Sequence, residues 1–231
     1  MKIALCLSGQ PRFVDQGYHK SIKPFIDLGS GTLVKTFIHT WEIEPWEYKS
    51  QWLNAGGHRM NEEISSDTLP RYLDLYKPDE YIVEPNKIFC YGLYADRTAP
   101  GIRSDYGESM LYSIYQSNQL KTEYEEQHNM TFDVVIRCRT DVKFFSPIHF
   151  EHYDLSTVTV PSGCPHPKGF ADAFAFSNSN NMDTYCNLYW EWERYMEEDP
   201  HQRLCWEELW YIHLNKYKIK HNQLIQHKLL R

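Results

Sequence analysis

The sequence lacks any apolar run long enough to cross a bilayer, which takes roughly 20 consecutive apolar residues. Its short apolar start, MKIALCLSG, has no small-residue cleavage site and continues directly into a polar loop. This start is therefore interpreted as a first strand and not as a signal peptide. We expect no membrane span and a cytoplasmic location.

Basic runs and closely spaced cysteines are also missing. The formal net charge is −7 and no stretch concentrates Lys and Arg, so a nucleic-acid partner held through its phosphates is not expected. The six cysteines include no C-x-x-C pair, which argues against a zinc knuckle and a disulfide framework. His149 and His152 have i, i+3 spacing but no third ligand, so they are weak evidence for zinc.

Repeats, low-complexity tracts and linkers are absent too, so residues 1–231 are predicted to form one domain. Aromatic residues make up 15% of the chain, enough for core packing and for stacking on sugar or base rings. The predicted strands are Lys2–Leu7, Thr32–Ile38, Tyr81–Val83, Thr157–Pro161 and Ala171–Phe176, besides the central one described next. The predicted helices are Tyr18–Leu28, Glu62–Tyr76, Glu108–His128, Asn181–Glu198 and Leu204–Lys216. Residues 91–107 are predicted to be a mobile loop near the site.

The central stretch is Phe132–Phe145, FDVVIRCRTDVKFF. Its β-branched apolar run suits a strand covered on both faces inside a mostly parallel sheet. Arg137, Arg139 and Asp141 follow, and the ends of such strands face the crevice where open α/β sheets bind ligands. Arginine forks match phosphate oxygens, and a carboxylate can hold a hard divalent cation. An Arg–Asp ion pair without a ligand is the alternative.

The first two strands end in groups that suit phosphate or sugar. Ser8-Gly9-Gln10-Pro11-Arg12 follows the first strand, where small residues admit a ligand close to the backbone and Arg12 offers a fork. A plain strand-to-helix turn is the alternative. His39 follows the second strand and is either a ligand contact or a hydrogen-bonded structural histidine.

Several polar positions elsewhere carry two interpretations. Asn118 and Lys121 lie in the middle of a predicted helix, where they face either solvent or the crevice. Asp172 is the lone charge in a predicted strand, which favours a partner such as a structural anchor or a substrate hydroxyl. Glu207 and Glu208 lie in the first turn of a predicted helix, where the helix dipole alone accounts for acidic residues.

Taken in order, six short motifs resemble the small nucleotide-sugar glycosyltransferases of the GT-A type. They are ALCLSGQPR, FIHTW, SIYQSNQLKTEYE, FDVVIRCRTDV, DAFAF and WEELW. The resemblance is closest to compact enzymes encoded by phages, large viruses and bacterial polysaccharide clusters. It implies a GT-A-like, Rossmann-like α/β domain with a mostly parallel sheet flanked by helices, located in the host cytoplasm if a virus encodes it.

The resemblance also implies a role for each matched position. The residues implied to line the nucleotide pocket or reach the base or phosphates are Ser8, Gly9, Gln10, Arg12, Asn118 and Lys121. Asp141 would bind the Mn²⁺ or Mg²⁺ on the donor diphosphate, with His221 as a further ligand. Asp172 would contact the donor sugar or the acceptor hydroxyls. Glu207 would be the catalytic base, with Glu208 as the alternate.

The family motif Asp-x-Asp corresponds here to Arg139-Thr140-Asp141, so only one carboxylate is present and Arg139 would replace part of the metal's charge. The expected function is a metal-dependent transfer of sugar from a uridine-linked diphosphate donor to a glycan or other hydroxyl acceptor. A nucleotidyltransferase acting on sugar phosphates is one alternative, since it also needs an acidic metal site beside a nucleotide loop. A non-catalytic nucleotide- or sugar-binding module is the other.

Overall fold

The computed structural model describes residues 1–26, 31–42, 65–87, 89, 92–98, 104–146, 148–164, 166, 168–225 and 227–229. Its strands are β1 (Lys2–Ser8), β2 (Leu33–Trp41), β3 (Glu80–Glu84), β4 (Val134–Cys138), β5 (Val142–Phe144), β6 (Val158–Pro161), β7 (Phe174–Ser177), β8 (His221–Ile225) and β9 (His227–Leu229). Its α-helices are α1 (Val14–Gly17), α2 (Lys23–Ile26), α3 (Thr68–Tyr76), α4 (Ser104–Gln127), α5 (Ser179–Cys186), α6 (Leu188–Glu198) and α7 (Trp206–Lys216). A π-helical segment, Tyr18–Ile22, joins α1 to α2, and short 3₁₀ turns lie at Ala95–Arg97 and Phe150–His152.

Seven of the strands form one sheet in the order β3-β2-β1-β4-β7-β6-β8. The strands β3, β2, β1 and β4 are parallel, β7 is antiparallel to both its neighbours, and β8 is parallel to β6. β7 is therefore the single reversed strand in this sheet. β5 and β9 pair separately as an antiparallel ribbon. The predicted α/β fold with a mostly parallel sheet is confirmed.

Both faces of the sheet are covered, which explains the unbroken apolar runs of β1 and β4. In β1, Ile3, Leu5 and Leu7 pack into a core cluster with the residues of α1 to α3. Ala4 and Cys6 point the other way, into the cluster formed with α4 to α7. Alternate residues of a strand point to opposite faces, so a strand buried on both sides must be apolar at every position.

Several element boundaries differ from the sequence prediction. The helix expected at Asn181–Glu198 is two helices that meet at Asn187. The strand expected from Ala171 begins at Phe174, so Asp172 lies in the preceding turn. The polar tail, for which the sequence pattern predicted no strand, supplies β8 and β9, which only pairing with distant strands could reveal.

Other boundaries shift or fall outside the described residues. The predicted loop 91–107 loses its last four residues to α4, which begins at Ser104. Residues 91 and 99–103 of that loop, like 62–64 of the predicted Glu62–Tyr76 helix, lie outside the described residues. Among the described residues, no helix combines the length and the apolarity that crossing a membrane requires.

Gly17, at the end of α1, brings the helical segment directly against the loop that follows β4. A Cβ atom on Gly17 would overlap the backbone carbonyl of Thr140. We expect Gly17→Ala to lower the free energy of unfolding by about 1–3 kcal/mol, since overpacking a rigid contact costs this much. Urea denaturation measures the loss.

Gln16→Ala is the matched control because Gln16 is the exposed neighbour of Gly17 in the same helix. Its effect should stay within about 0.5 kcal/mol, as for most surface substitutions. Equal effects of the two substitutions would show that α1 does not contact Thr140 this closely in solution.

Candidate functional site

The carboxyl ends of β1 and β4 form the topological switch point of the sheet. From β1 the chain builds outward through β2 and β3, whereas β4 adds on the other side of β1. Ligands of open α/β sheets bind in the crevice outside such a point. The turn Ser8–Arg12 leaves β1 there, and Arg139 and Asp141 follow β4 there.

The two segments contact each other through Thr140. The Thr140 hydroxyl lies 3.4 Å from the carbonyl oxygen of Gln10 and 3.3 Å from the backbone nitrogen of Arg12, which donates to it. The Arg12 guanidinium donates to Oε1 of Gln10 at 2.8 Å. Gly9 adopts φ +96°, a left-handed conformation that favours glycine. The structure thus places the first turn beside the segment after β4.

Asp141 is paired with Arg139 on both of its carboxylate oxygens. Arg139 Nε donates to Oδ1 at 2.8 Å and Nη2 donates to Oδ2 at 2.7 Å, a bidentate geometry. The side chain of Asp141 is only 5% exposed. Burial alone would raise the pKa of Asp141, but the charge and hydrogen bonds of Arg139, with the charge of Arg12, hold that pKa below its usual range.

This pairing does not fit a divalent ion held by Asp141. An ion there would have to displace the Arg139 fork from a nearly sealed carboxylate and lie beside the charges of both arginines. The ion-pair alternative to a metal ligand is therefore the one that the geometry supports.

His221 does not share a site with Asp141. It begins β8, opposite Val158, whereas Asp141 lies beyond the end of β4. Three interstrand spacings separate β4 from β8, which amounts to roughly 14 Å across the sheet. The His221 ring packs instead against Phe170 and Tyr211, with ring centroids 4.7 Å and 5.4 Å away. The assignment of His221 as a metal ligand beside Asp141 is corrected accordingly.

His227 is the tail histidine that reaches the site, and sequence reasoning missed it. In β9 it pairs with Phe144 of β5, the strand that follows Asp141. Its Nδ1 is buried and has no hydrogen-bond partner among the residues that the structure describes. Burial lowers the pKa of His227, and Asp172 and Arg139 are close enough to act on it electrostatically with opposite signs. Only the pairing of β5 with β9 could have singled out His227.

Asp172 lies in the turn before β7 and faces Arg139. Its Oδ2 is 3.5 Å from Nη1 of Arg139, and its side chain is 28% exposed. The buried guanidinium of Arg137 donates to the backbone carbonyl of Asp172 and so holds this turn in place. Asp172 is thus an accessible carboxylate beside an arginine.

Glu207 and Glu208 begin α7, against the loop that leads to Asp172. The backbone nitrogen of Phe170 donates to the carbonyl of Glu207 at 3.1 Å, which fixes the loop to the helix. Oε2 of Glu207 accepts from the Cys205 thiol at 3.4 Å. Glu208 lies 3.8 Å from Nδ1 of His166. The carboxylate of Glu207 therefore already accepts a hydrogen bond from Cys205, whereas the contact between Glu208 and His166 is longer.

Cys164 lies in the same loop, and the charges of all three of these carboxylates act on its thiol. Burial raises the pKa of its thiol first, and the charges of Glu207, Asp172 and Glu208 raise it further. Glu207 and Glu208 thus begin the same helix, and the loop that leads to Asp172 is fixed to the start of that helix.

His39 has a structural role. It is fully buried, with Nδ1 2.8 Å from the Ser113 hydroxyl and Nε2 3.0 Å from Glu84. The same hydroxyl accepts from the backbone nitrogen of Gly9 at 2.7 Å. Burial lowers the pKa of His39 even though Glu84 opposes the shift. The chain His39–Ser113–Gly9 positions the first turn, while the hydroxyl of Ser8 is buried and has no partner in the described part of the chain.

Asn118 and Lys121 are buried inside the protein, so neither side chain faces solvent. The Lys121 ammonium donates to Asp183, Glu125 and the Ser179 hydroxyl at 2.7, 2.8 and 2.7 Å. An ammonium has three donors, so none is left for a ligand. The amide of Asn118 donates to the same Asp183 at 2.7 Å. Both residues belong to a buried polar cluster between α4 and α5, which corrects their assignment to nucleotide binding.

No protein-family model and no curated protein matches the sequence. Any functional conclusion about this chain therefore rests on the six motifs and on the geometry described above.

Proposed function

We propose that this protein transfers a sugar from a uridine-linked diphosphate donor to a hydroxyl group of a glycan or small acceptor. The observation that carries this proposal is the convergence of Arg12, Arg139 and Asp172 at the switch point of the sheet. Two arginines suit a diphosphate, and an accessible carboxylate between them and α7 suits sugar hydroxyls.

The reaction requires stabilisation of charge on the leaving group. The acceptor oxygen attacks the anomeric carbon, the bond to the diphosphate breaks, and its electron pair remains on the diphosphate. Fixed cations that face this developing charge accelerate the step. Arg12 and Arg139 supply those cations in the proposal. Because Asp141 is committed to Arg139, added Mn²⁺ or Mg²⁺ is expected to leave turnover unchanged.

The attacking hydroxyl must also lose its proton if the reaction inverts the sugar configuration. Glu207 and Glu208 both begin α7, but the Cys205 thiol already donates to Glu207. Glu208 is 22% exposed and its carboxylate lies 3.8 Å from Nδ1 of His166, so we assign the proton to Glu208. Asp172 then orients sugar hydroxyls.

The first test is donor binding followed by turnover. A thermal-shift screen of nucleotide sugars should show a raised melting temperature for a uridine-linked donor, because a ligand that binds the native state stabilises it by mass action. Release of uridine diphosphate in the presence of acceptor then measures transfer. A screen without any stabilising nucleotide sugar would refute the proposal.

Glu208→Gln is expected to lower kcat by about 10²–10⁴-fold, the usual contribution of a general base, with donor affinity unchanged. Glu126→Gln is the matched control, since Glu126 is an exposed residue near the end of α4. Unchanged kcat in Glu208→Gln would rule out this residue as the base.

A non-catalytic binding module is the second candidate, and the burial of the single carboxylate in the Arg139–Asp141 motif favours it. Donor binding by calorimetry without turnover of any acceptor would select it. Release of pyrophosphate from a nucleoside triphosphate and a sugar phosphate would instead select a nucleotidyltransferase.

A further inference from the structure

Two short sequence pairs converge beside the three carboxylates of the candidate site. Cys164-Pro-His166 lies in the loop after β6, and Cys205-Trp-Glu207 begins α7. One donor atom each from His166, Cys205 and Glu207 lies within 4.8 Å of the other two. In each pair the two donor residues are two positions apart in the sequence, so both side chains can face the same point.

Gly169 makes this convergence possible. A Cβ atom at Gly169 would lie 3.0 Å from Cβ of His166, 3.1 Å from Sγ of Cys164 and 3.1 Å from Cβ of Glu207. The loop and the helix start could not approach so closely around a larger residue. The backbone nitrogen of Gly169 also donates to the carbonyl of His166 at 3.1 Å, which closes the loop on itself. Cys164 thus lies beside the cluster, although its sulfur is not among the donor atoms that lie within 4.8 Å of one another.

The donor set selects the metal. Thiolate sulfur, imidazole nitrogen and carboxylate oxygen are together the ligands of Zn²⁺, whereas Mg²⁺ and Mn²⁺ prefer oxygen. The surroundings favour a cation, because the carboxylate of Glu208 lies 3.8 Å from Nδ1 of His166. Cys205 is fully buried and His166 is partly exposed. One side of the cluster is therefore held in the protein interior, and the other side is accessible from solvent.

We propose that His166, Cys205 and Glu207 form a zinc site, which Cys164 completes as the fourth ligand when its side chain turns toward the ion. The ion ties the loop 162–170 to the start of α7 and thereby holds the wall of the site that carries Asp172. This site is separate from Asp141 and uses different chemistry from the metal expected there.

The contacts also have an explanation without metal. The Cys205 thiol donates to Glu207 at 3.4 Å, and His166 lies 3.8 Å from Glu208. In that case the cluster is only a set of weak polar contacts, and it should show no more than adventitious affinity for zinc. Direct metal measurements distinguish the two explanations.

The experiment uses the full chain, treated with a chelator and then desalted. Zinc is added in increments, and the metal retained after a second desalting is measured together with the melting temperature. We expect one zinc ion per chain and a raised melting temperature, because metal binding to the folded state stabilises it. Substitution with Co²⁺ should produce the intense visible bands of a tetrahedral site and a near-ultraviolet band from sulfur ligation.

His166→Ala and Cys205→Ser should each weaken zinc binding by more than about 100-fold, since loss of a mere outer-shell partner already costs 10–100-fold. His166 is partly exposed, so its variant tests the site even if Cys205→Ser folds poorly. Cys186→Ser is the matched control, because Cys186 is a buried free cysteine of α5 outside the cluster. Cys164→Ser should remove one sulfur ligand from the cobalt spectrum.

Substoichiometric zinc in the wild-type chain would overturn the proposal. Wild-type zinc affinity in both His166→Ala and Cys205→Ser would overturn it equally. An unchanged cobalt spectrum in Cys164→Ser would reject the four-ligand site. None of these readouts depends on sugar transfer, so the zinc site and the transferase activity stand or fall separately.

Discussion

Arg139→Met is expected to lower sugar transfer by at least about 100-fold, because Arg139 is one of the two cations assigned to the leaving diphosphate. The same change should lower the free energy of unfolding by about 3–5 kcal/mol, as removal of one partner from a buried ion pair does. The loss arises because the nearly sealed carboxylate of Asp141 gives up the donors on both of its oxygens. Urea denaturation and the release of uridine diphosphate measure the two effects.

Arg71→Met is the control for the stability effect. Arg71 also directs two guanidinium nitrogens at one aspartate, Asp15, but its side chain is 52% exposed. Exposed ion pairs contribute about 0–1 kcal/mol, so the control should remain close to the wild-type stability. Similar losses in both variants would contradict the burial of the Arg139–Asp141 pair.

The double variant Arg139→Met, Asp141→Leu separates the structural role from the chemical one. Replacing a buried ion pair by apolar side chains of similar size is often neutral or stabilising, so the double variant should regain most of the lost stability. Its transfer activity should remain at the level of Arg139→Met. Recovery of activity along with stability would show that Arg139 only supports the fold.

The same pair predicts a pH dependence of stability. The pKa of Asp141 is lower in the folded chain than in the unfolded chain, so Asp141 stabilises the fold above the ordinary aspartate pKa of about 3.9. That contribution is lost as the pH falls from there through the folded-state pKa. In Arg139→Met, burial is no longer opposed by the adjacent guanidinium, so stability should begin to fall at a higher pH.

Lys121→Met is expected to have the second large effect, a loss of unfolding free energy near the lower end of about 3–5 kcal/mol. The Lys121 side chain is fully buried, and its ammonium is the common partner of Glu125 and Asp183. Burial lowers the pKa of Lys121, but these carboxylates outweigh burial and the pKa is raised, so the group is charged. The lower end of this range applies because Asp183 is 39% exposed, so water can solvate its carboxylate once the Lys121 ammonium is removed.

Lys35→Met is the matched control, since Lys35 pairs with Asp79 at 2.6 Å while both side chains are partly exposed. Its effect should be about 1 kcal/mol or less. Donor affinity of the folded Lys121→Met protein should equal that of the wild type, because Lys121 is committed to the cluster. A selective loss of donor affinity would restore the assignment of Lys121 to nucleotide binding.

The local sequence pattern was sufficient to predict most helices and strands and part of the candidate site. The continuous apolar runs of β1 and β4 predicted strands covered on both faces, and both core clusters confirm this. The turn after β1 and the charged residues after β4 were expected to meet, because strands of a parallel sheet end at one edge. Predictions of cytoplasmic location and of phage or viral origin stay predictions.

Which residues of separate elements contact each other could not be predicted in the same way. The sequence marks Lys121 as a polar residue within a helix, but it does not reveal that α5 brings Asp183 and Ser179 against it. The tail carries both His221 and His227, and His221 was the one predicted as a metal ligand. The pairing of β5 with β9 brings His227 to the site, and the pairing of β8 with β6 leaves His221 near the far edge.

The sequence by itself determined the α/β class, the mostly parallel sheet and the edge at which charged residues collect. Those features follow from residue periodicity and from the chain direction of successive strands, which are local properties. Only the tertiary structure decided that Asp141 is held by Arg139, that Lys121 is buried in its own cluster, and that His166 meets Cys205. Such contacts join residues from separate elements, so their distances depend on how the whole chain packs.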